Sequence, residues 1–391
     1  MVIQIDGGAS TNKGGQLMLV AVIQEIKNRF PDAQVFENDI RPDEALLKQQ
    51  FGSNYRLPRS KALQNVITSL KMEKLAYLFV KKFWHRYSIF HAKKGIDIVL
   101  NIGGFQFGDQ WNHGWYDISM WRRYLARLKK YNTKTVFLPQ AFGPFEKEGS
   151  RKMLKVLNQY ADLLIARDDE SYNYLISGGV DKRRIALFPD FTSPVKGVKT
   201  EHVIQSIGKV CIIPNNKMIK QNILQEDDYI KAISTIIEHV EGKGYKALLL
   251  NHEGAPDYRL CQKIASTRTD LPIVTGLNAI ETKGVVAASY VVISSRYHGV
   301  ANALSSGVPC LATSWSHKYQ KLLDEYGQGD CLIDLTDMKS TLVKLDRLLD
   351  KNENTSRRET LEKETSQVIA KNNEMWNYVW DSALSTRSFT D

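Results

Sequence analysis

The stretch VVISSRYHGVANALSSGVPCLAT, residues 291–313, decides the fold class of this protein. A β-branched run at 291–293 opens it, a helix-length segment follows, and a second short apolar run closes it at 309–313. Short apolar runs bounded by turns and separated by helical segments are typical of strand–helix–strand units in a parallel sheet. The stretch also places Arg296 and His298 two residues apart, where the first predicted strand gives way to the helix.

The same rhythm runs through most of the chain. Apolar runs typical of buried strands occur in the first half at 2–6, 33–37, 97–102, 134–138, 162–166 and 185–188, and in the second half at 209–214, 245–250, 272–275, 290–293, 309–313 and 331–335. The pattern is lost at 189–208, which we interpret as an interdomain connection. We therefore predict two doubly wound, Rossmann-like α/β domains that face each other across a cleft, at 1–192 and 205–337. A helical segment at 338–391 is expected to pack back onto the first domain, through Trp376 and Trp380 on one helix face.

The composition is that of an ordinary globular protein, with 43% hydrophobic and 25% charged residues in 391. No apolar run approaches the length of a transmembrane helix. MVIQID at the start predicts a first strand rather than a signal peptide. The cysteines show neither paired nor metal-ligand spacing, so we predict reduced thiols, no metal site and a cytoplasmic location.

The formal net charge of +10 is concentrated in one segment. Residues 56–94 contain ten lysines and arginines but only one acid, Glu73, and aromatic residues are interspersed among them. This segment is either a solvated helix with a buried face or an amphipathic helix that lies on anionic lipid, which would make the protein peripheral on the inner membrane face. No nucleic-acid-binding motif accompanies the charge, so we predict no nucleic-acid partner.

Polar residues follow the predicted strands of the first domain. In open α/β sheets, ligands bind outside the carboxyl ends of the strands, near helix N-termini. The candidates there are Asn12 and Lys13 in a glycine-rich turn, Asp109, Gln140 and Arg167. A structural turn accounts equally well for the glycine-rich segment, and an ion pair with Asp168 or Asp169 accounts equally well for Arg167.

The second domain supplies the more specific candidates. Arginine binds oxyanions in a bidentate manner, and histidine transfers protons near neutral pH. If residues 296–298 stay extended, the side chains of Arg296 and His298 point to the same side, above the N-terminus of the next helix. This combination suits a phosphorylated, acidic substrate, although an arginine paired to an acid and a capping histidine would be a purely structural arrangement. The remaining candidates of this domain are Ser295, His252, Glu253, His317 and Lys318.

Taken together, the motifs resemble the polysaccharide pyruvyl transferase family. The matching stretches appear in the order NKGGQLML, NIGGFQFGD, LPQAFGPF, ARDDESYNYL, LFPD and ISSRYHGVANALSSGVPCLATSWSHKYQKLLDEYG. Many members of the family carry an acid where this chain has Gly15. The resemblance implies a two-domain fold like that of the GT-B glycosyltransferases.

The resemblance also implies an activity, the transfer of pyruvate from phosphoenolpyruvate to two hydroxyls of one sugar as a cyclic ketal, with release of phosphate. The acceptor would be a polysaccharide, exopolysaccharide, capsule or lipid-linked precursor. By similarity, His298 and Asp109 are the catalytic residues, with His298 as the general acid and Asp109 as the general base or as a residue that positions the acceptor. Arg296 and Arg167 clamp the donor, assisted by Lys318, Lys13, Asn12 and Ser295, while Gln140, His252, Glu253 and His317 are candidates for the acceptor site or the cleft. Phosphoenolpyruvate is a co-substrate, and no cofactor is expected.

Two other functions fit the same residues. A sugar-nucleotide-dependent glycosyltransferase of the same architecture would also place basic residues at a helix N-terminus. A non-catalytic protein that binds a membrane surface or a polyanion would use the basic segment at 56–94. The first would use a nucleotide sugar as donor, and the second would show no turnover.

Overall fold

The computed structural model describes residues 1–8, 12–38, 95–268, 270–313 and 318–384. Contacts between Cα atoms divide the chain into two compact units. The N-terminal unit consists of Met1–Thr11, Met18–Phe191 and Lys371–Asp391, and the C-terminal unit of Asn12–Leu17 and Thr192–Ala370. The basic segment at 56–94 lies outside the described residues.

The described part of the N-terminal unit contains one six-stranded parallel sheet. Its strands are β1 (Val2–Asp6), β2 (Gln34–Asn38), β3 (Ile98–Asn101), β4 (Lys134–Gln140), β5 (Leu163–Ala166) and β6 (Ile185–Leu187). The spatial order is β2-β1-β3-β4-β5-β6, so the direction of winding reverses between β1 and β3. Ligands of doubly wound sheets bind at such a switch point, outside the carboxyl ends of the strands.

Helices cover this sheet because its strands are apolar on both faces. They are α1 (Lys13–Arg29), α2 (Trp115–Lys130), α3 (Glu148–Tyr160) and α4 (Asp169–Ser177). Phe107, Phe137 and Leu157 belong to one buried cluster of this unit. The sequence explains the start of α4, where the Asp168 carboxylate accepts a hydrogen bond of 2.8 Å from the Ser171 amide.

The described part of the C-terminal unit repeats the plan with a different order. Its strands are β7 (Val210–Ile213), β8 (Ala247–Leu250), β9 (Ile273–Val274), β10 (Val291–Ser294), β11 (Cys310–Thr313) and β12 (Leu332–Ile333). They form a parallel sheet in the order β12-β11-β10-β7-β8-β9, with its switch point between β7 and β10. Two six-stranded parallel sheets in the described residues confirm the predicted doubly wound α/β class.

The helices of this unit follow its strands. They are α5 (Glu201–Ser206), α6 (Lys217–Lys220), α7 (Glu226–Gly242), α8 (Gly254–Ala265), α9 (Ala279–Ala288), α10 (Tyr297–Leu304), α11 (Lys318–Glu325), α12 (Met338–Leu349) and α13 (Lys351–Leu384). Gly307, with a φ of 70°, turns the chain from α10 into β11, a backbone conformation that favours glycine. All four cysteines are buried and unpaired.

The C-terminal helical segment divides between the two units. Helix α12 and the first part of α13 belong to the C-terminal unit, and α13 enters the N-terminal unit at Lys371. There the Trp376 and Trp380 rings are stacked with centroids 5.9 Å apart, and Phe30 meets Trp380 edge to face at 4.9 Å.

The first boundary between the units falls between Phe191 and Thr192, inside the stretch that sequence analysis interprets as a connection. No helix in the described part of the chain is both long and apolar enough to cross a membrane.

Candidate active site

Arg296 and His298 lie at the switch point of the C-terminal sheet, where β10 gives way to α10. Arg296 has extended backbone angles, φ −106° and ψ 128°, and is the N-cap residue of the helix. His298 is already in the first helical turn. The segment therefore does not stay extended through residue 298, and the predicted reason for a shared direction of the two side chains is wrong. Both residues lie at the N-terminus of α10.

Arg296 is held by two carboxylates, those of Glu253 at the N-cap of α8 and of Asp257 in its first turn. Its Nε and Nη2 lie 2.8 and 2.6 Å from Asp257 Oδ2, and its Nη1 donates to Glu253. The Asp257 side chain is completely buried and that of Arg296 is 13% exposed. Burial raises the pKa of Asp257, and the charge of Arg296 opposes that rise. The guanidinium has more N–H donors than these three contacts use, so donors remain for a ligand.

His298 packs against Gly14 in the first turn of α1. This turn belongs to the C-terminal unit, whereas α1 from Met18 onward belongs to the N-terminal unit. A Cβ atom at residue 14 would overlap Cε1, Nδ1 and Nε2 of the imidazole ring. The Gly14 amide donates to Asn12 Oδ1 at 2.8 Å, and Lys13 Nζ donates to the Leu277 carbonyl. The first turns of α1 and α10 thus meet at His298. Because free N–H groups and the positive ends of helix dipoles accumulate there, the arrangement favours an anion.

His252 is the buried histidine of this region. It follows β8, is 2% exposed, and neither ring nitrogen has a hydrogen-bond partner among the described residues. Its pKa lies well below 6.5, chiefly because of burial and further because of the positive charges of Arg296, His298 and Lys13. His252 is therefore neutral at physiological pH and lies within electrostatic reach of those three residues.

Ser295 belongs to an interior hydroxyl network. Its Oγ lies 2.8 Å from the Tyr229 hydroxyl and accepts a bond of 2.7 Å from Thr313. Its carbonyl accepts from Asn215 Nδ2 at 2.7 Å and from the Tyr319 hydroxyl at 3.1 Å. These bonds hold the end of β10 in place. We therefore assign Ser295 a structural role instead of the predicted contact with a donor.

In the N-terminal unit, Asp109 anchors the segment that leads into α3. Its carboxylate accepts bonds of 3.0 Å from the Glu146 and Lys147 amides and a further bond from the Ser150 hydroxyl. Desolvation alone would raise the pKa of Asp109, but these hydrogen bonds outweigh it and lower the pKa. Because both oxygens are engaged and basicity is reduced, the geometry disfavours the predicted role as general base.

Gln140 is the last residue of β4, and Arg167 directly follows the neighbouring strand β5. The Arg167 amide donates to the Gln140 carbonyl at 3.2 Å, and its Nε lies 3.9 Å from Asp168 Oδ2. This ion pair is weak for two reasons. The distance of 3.9 Å is long, and the Asp168 carboxylate also caps α4. Gln140 is completely buried, and its Nε2 donates to Asn101 Oδ1 at 3.3 Å.

The last sequence candidates fall at the edge of the described chain. His317 lies outside the described residues, and Lys318 begins α11 with a side chain that is likewise outside them. Within the described residues, no group of three histidine, cysteine or acidic side chains is arranged to hold a metal ion.

Three important residues were missed by sequence reasoning. Asp257 could have been found, since it is an acid in the first turn of the helix that follows β8 and Glu253. Gly14 and Asn101 left no comparable signal. Gly14 contacts His298, which lies far from it in the chain. In the sequence, Asn101 cannot be distinguished from any other polar residue at the end of a strand.

The architecture matches solved structures of GT-B type. A putative UDP-N-acetylglucosamine 2-epimerase from Listeria monocytogenes superposes with a TM-score of 0.65 at 12% identity, covering 100% of this chain and 98% of that one. Anabaena Alr3699/HepE in complex with UDP-glucose gives 0.60 at 12% identity, covering 97% and 99%. The lipopolysaccharide outer core galactosyltransferase WaaB gives 0.51 at 15% identity, covering 97% and 99%. At such identities the likeness establishes the fold.

The family follows from a match of the sequence itself. The family model described as polysaccharide pyruvyl transferase matches residues 12–317, from the residue before α1 to the residue before α11. The match includes Gly14, Arg167, His252, Arg296 and His298. The chain therefore belongs to the polysaccharide pyruvyl transferase family.

Proposed function

We propose that the protein transfers pyruvate from phosphoenolpyruvate to two hydroxyls of one sugar unit. One observation carries the proposal, the packing of the His298 ring on the first turn of α1, with Lys13 on that turn and Arg296 two residues before the histidine. One region then contains a proton carrier, two cationic side chains and two helix N-termini. Phosphoenolpyruvate is an enol phosphate with a carboxylate, and it needs anion binding and a proton donor together.

The reaction balances without a redox step. His298 protonates the methylene carbon of the enol, which makes the neighbouring carbon electrophilic. One sugar hydroxyl adds to that carbon, the carbon–oxygen bond to phosphate breaks, and the second hydroxyl closes the ketal. Two carbon–oxygen bonds form and one breaks. The two sugar hydroxyls lose two protons. The methyl carbon gains one proton, and the remaining proton leaves with phosphate or solvent.

The described residues divide these tasks. Lys13 and the remaining donors of Arg296 bind the carboxylate or phosphate of the donor, and His298 is the general acid. Arg167 stays a donor-binding candidate through the family pattern ARD. We leave Asp109 out of the catalytic set because its carboxylate is engaged at the start of α3, and the general base is left unassigned.

The principal alternative is a sugar-nucleotide-dependent glycosyltransferase. Two of the similar solved structures are complexes with UDP or UDP-glucose, those of S. aureus MnaA and Anabaena Alr3699/HepE. The identity of the donor separates the two functions. The protein is incubated with a panel of methyl glycosides and either phosphoenolpyruvate or UDP-glucose, and the products are analysed by mass spectrometry alongside a phosphate assay.

The proposal expects a mass gain of pyruvate minus water and stoichiometric phosphate release with phosphoenolpyruvate only. His298→Gln should lower turnover at least about a hundredfold, the low end for general acid catalysis. Glutamine retains hydrogen bonding but cannot carry the proton. Hexose transfer from UDP-glucose, or near-normal turnover in His298→Gln, would contradict the proposal and the role of His298, respectively.

A further inference from the structure

An amide pair at the carboxyl edge of the N-terminal sheet has unused hydrogen-bonding capacity. Asn101 ends β3 at 2% exposure and Gln140 ends the adjacent β4 at 0%. Asn101 Nδ2 and Gln140 Oε1 have no hydrogen-bond partner within the described part of the chain. A buried polar group without a partner costs free energy, so such atoms point to a missing ligand or water molecule.

The orientation of both amides is fixed by their other bonds. Asn101 Oδ1 accepts from the Gly103 amide at 3.1 Å and from Gln140 Nε2 at 3.3 Å. Rotating either amide would place two oxygens or two N–H groups against each other. The unused atoms are therefore one donor, Asn101 Nδ2, and one acceptor, Gln140 Oε1.

The location of the pair is that of a ligand site in a doubly wound sheet. The switch point lies between β1 and β3, and β4 is the neighbour of β3 on the other side. Both amides therefore lie at the carboxyl ends of strands at or next to the switch point. A third amide, that of Gln106, packs over Gly7 and Gly103, where a Cβ atom would collide with it. The Oε1 atom of Gln106 likewise lacks a partner among the described residues.

A hydroxyl group satisfies this pair completely, since it accepts one hydrogen bond and donates another. Ionised phosphate and carboxylate oxygens only accept, so they would leave the Gln140 oxygen without a donor. We propose that Asn101 and Gln140 determine acceptor specificity by binding one sugar hydroxyl, which accepts from Asn101 Nδ2 and donates to Gln140 Oε1. This inference rests on the proposed function for the identity of the sugar as acceptor.

The first test uses two near-isosteric variants of the full chain. Asn101→Asp replaces the Nδ2 donor and keeps the oxygen that binds Gly103 and Gln140, and Gln140→Met removes the Oε1 acceptor in a side chain of similar length. Gln159→Glu, exposed on α3, is the matched control. Binding of methyl glycosides of glucose, galactose and mannose is followed by saturation-transfer NMR without donor, and KM values for sugar and for phosphoenolpyruvate are measured by phosphate release.

We expect both site variants to weaken sugar binding and raise the sugar KM at least about fivefold, the value of one hydrogen bond, while KM for phosphoenolpyruvate and the behaviour of Gln159→Glu stay unchanged. Sugar binding equal to wild type in folded variants would show that the amides hold a buried water molecule only and would overturn the inference. No binding of any glycoside by wild type would overturn it as well. If wild type binds sugars but never consumes phosphoenolpyruvate, the proposed function fails while the amide site stands.

A second test needs no variant and covers the case in which the variants fail to fold. Deoxy, fluoro and O-methyl analogues of the bound sugar are compared on wild-type protein. At one ring position all three changes should weaken binding at least about fivefold, because fluorine cannot donate, an ether cannot donate, and a deoxy carbon does neither. If at every position the fluoro analogue binds as well as the parent sugar, no hydroxyl is bound in the proposed manner.

Discussion

Arg296 and Asp257 form a buried ion pair in which guanidinium Nη2 lies 2.6 Å from carboxylate Oδ2. Arg296 precedes α10 and Asp257 lies in the first turn of α8, so the pair joins two strand ends of the C-terminal sheet. A residue expected to bind donor is thus also a structural element. The two roles predict different consequences for different substitutions.

Arg296→Ala should leave the buried carboxylate of Asp257 without its cationic partner, with only the Asn216 amide bonded to Oδ1. Removal of one member of a buried pair costs about 3–5 kcal/mol, so the free energy of unfolding in urea should fall by that amount. The double variant Arg296→Ala/Asp257→Asn should recover much of the stability but not the affinity for phosphoenolpyruvate. A double variant that is as unstable as Arg296→Ala would argue against the pair, and unchanged donor affinity in it would remove Arg296 from donor binding.

Gly14→Ala should displace the imidazole of His298, because a Cβ atom at this position would overlap the ring. We expect kcat to fall at least about tenfold, as misplacement of a catalytic group by about 1 Å costs up to about a hundredfold. Steady-state kinetics is the measurement. Gly242→Ala is the control, since a Cβ atom there meets nothing within 4 Å. Equal kcat in both variants would show that the ring position is irrelevant to turnover.

Asp109→Asn separates an anchoring role from a catalytic one. The amide keeps the size of the side chain but loses the charge that receives the Glu146, Lys147 and Ser150 donors. Stability should fall by about 1.5–3 kcal/mol, the value of hydrogen bonds to a charged group, while kcat of the folded variant stays within about threefold of wild type. Thermal melts and turnover are compared. A folded variant that loses turnover by about a hundredfold or more would restore Asp109 as general base.

His252 should make the protein sensitive to acid. Its pKa in the folded state lies well below 6.5, so between these two values the unfolded chain binds a proton that the folded chain does not. Stability from this residue is complete above pH 6.5 and falls as pH decreases, by up to about 1.4 kcal/mol per pH unit. His252→Gln should remove this part of the slope in urea titrations at several pH values. Parallel slopes for wild type and variant would contradict a neutral, buried His252.

The basic segment at 56–94 predicts binding to anionic membranes. If its cations face lipid, each is worth about 1 kcal/mol near the surface. Changing Lys81, Lys82, Arg86, Lys93 and Lys94 to Gln should abolish sedimentation with phosphatidylserine vesicles at low salt. Activity on a lipid-linked acceptor should fall, and activity on a short methyl glycoside should not. Absence of vesicle binding by wild type would leave the segment as a solvated helix.

The fold class could be predicted from the amino-acid sequence alone. Parallel strands buried on both faces appear as continuous apolar runs, and the runs at 2–6, 134–138 and 290–293 became β1, β4 and β10 with small shifts at their ends. The candidate residues at the end of β10 could be predicted as well, because the chemistry of Arg296 and His298 is a property of the residues themselves. The family followed from the same local motifs.

The contacts of those residues depend on the tertiary structure and could not be predicted from the sequence. The two carboxylates on Arg296, the glycine beneath His298 and the anchoring role of Asp109 each join positions separated along the chain. Local spacing cannot report such contacts, because they depend on which strands become neighbours in the sheet. The order β12-β11-β10-β7-β8-β9 brings the end of β10 beside β7 and one strand from β8, and so brings Arg296 to Glu253 and Asp257.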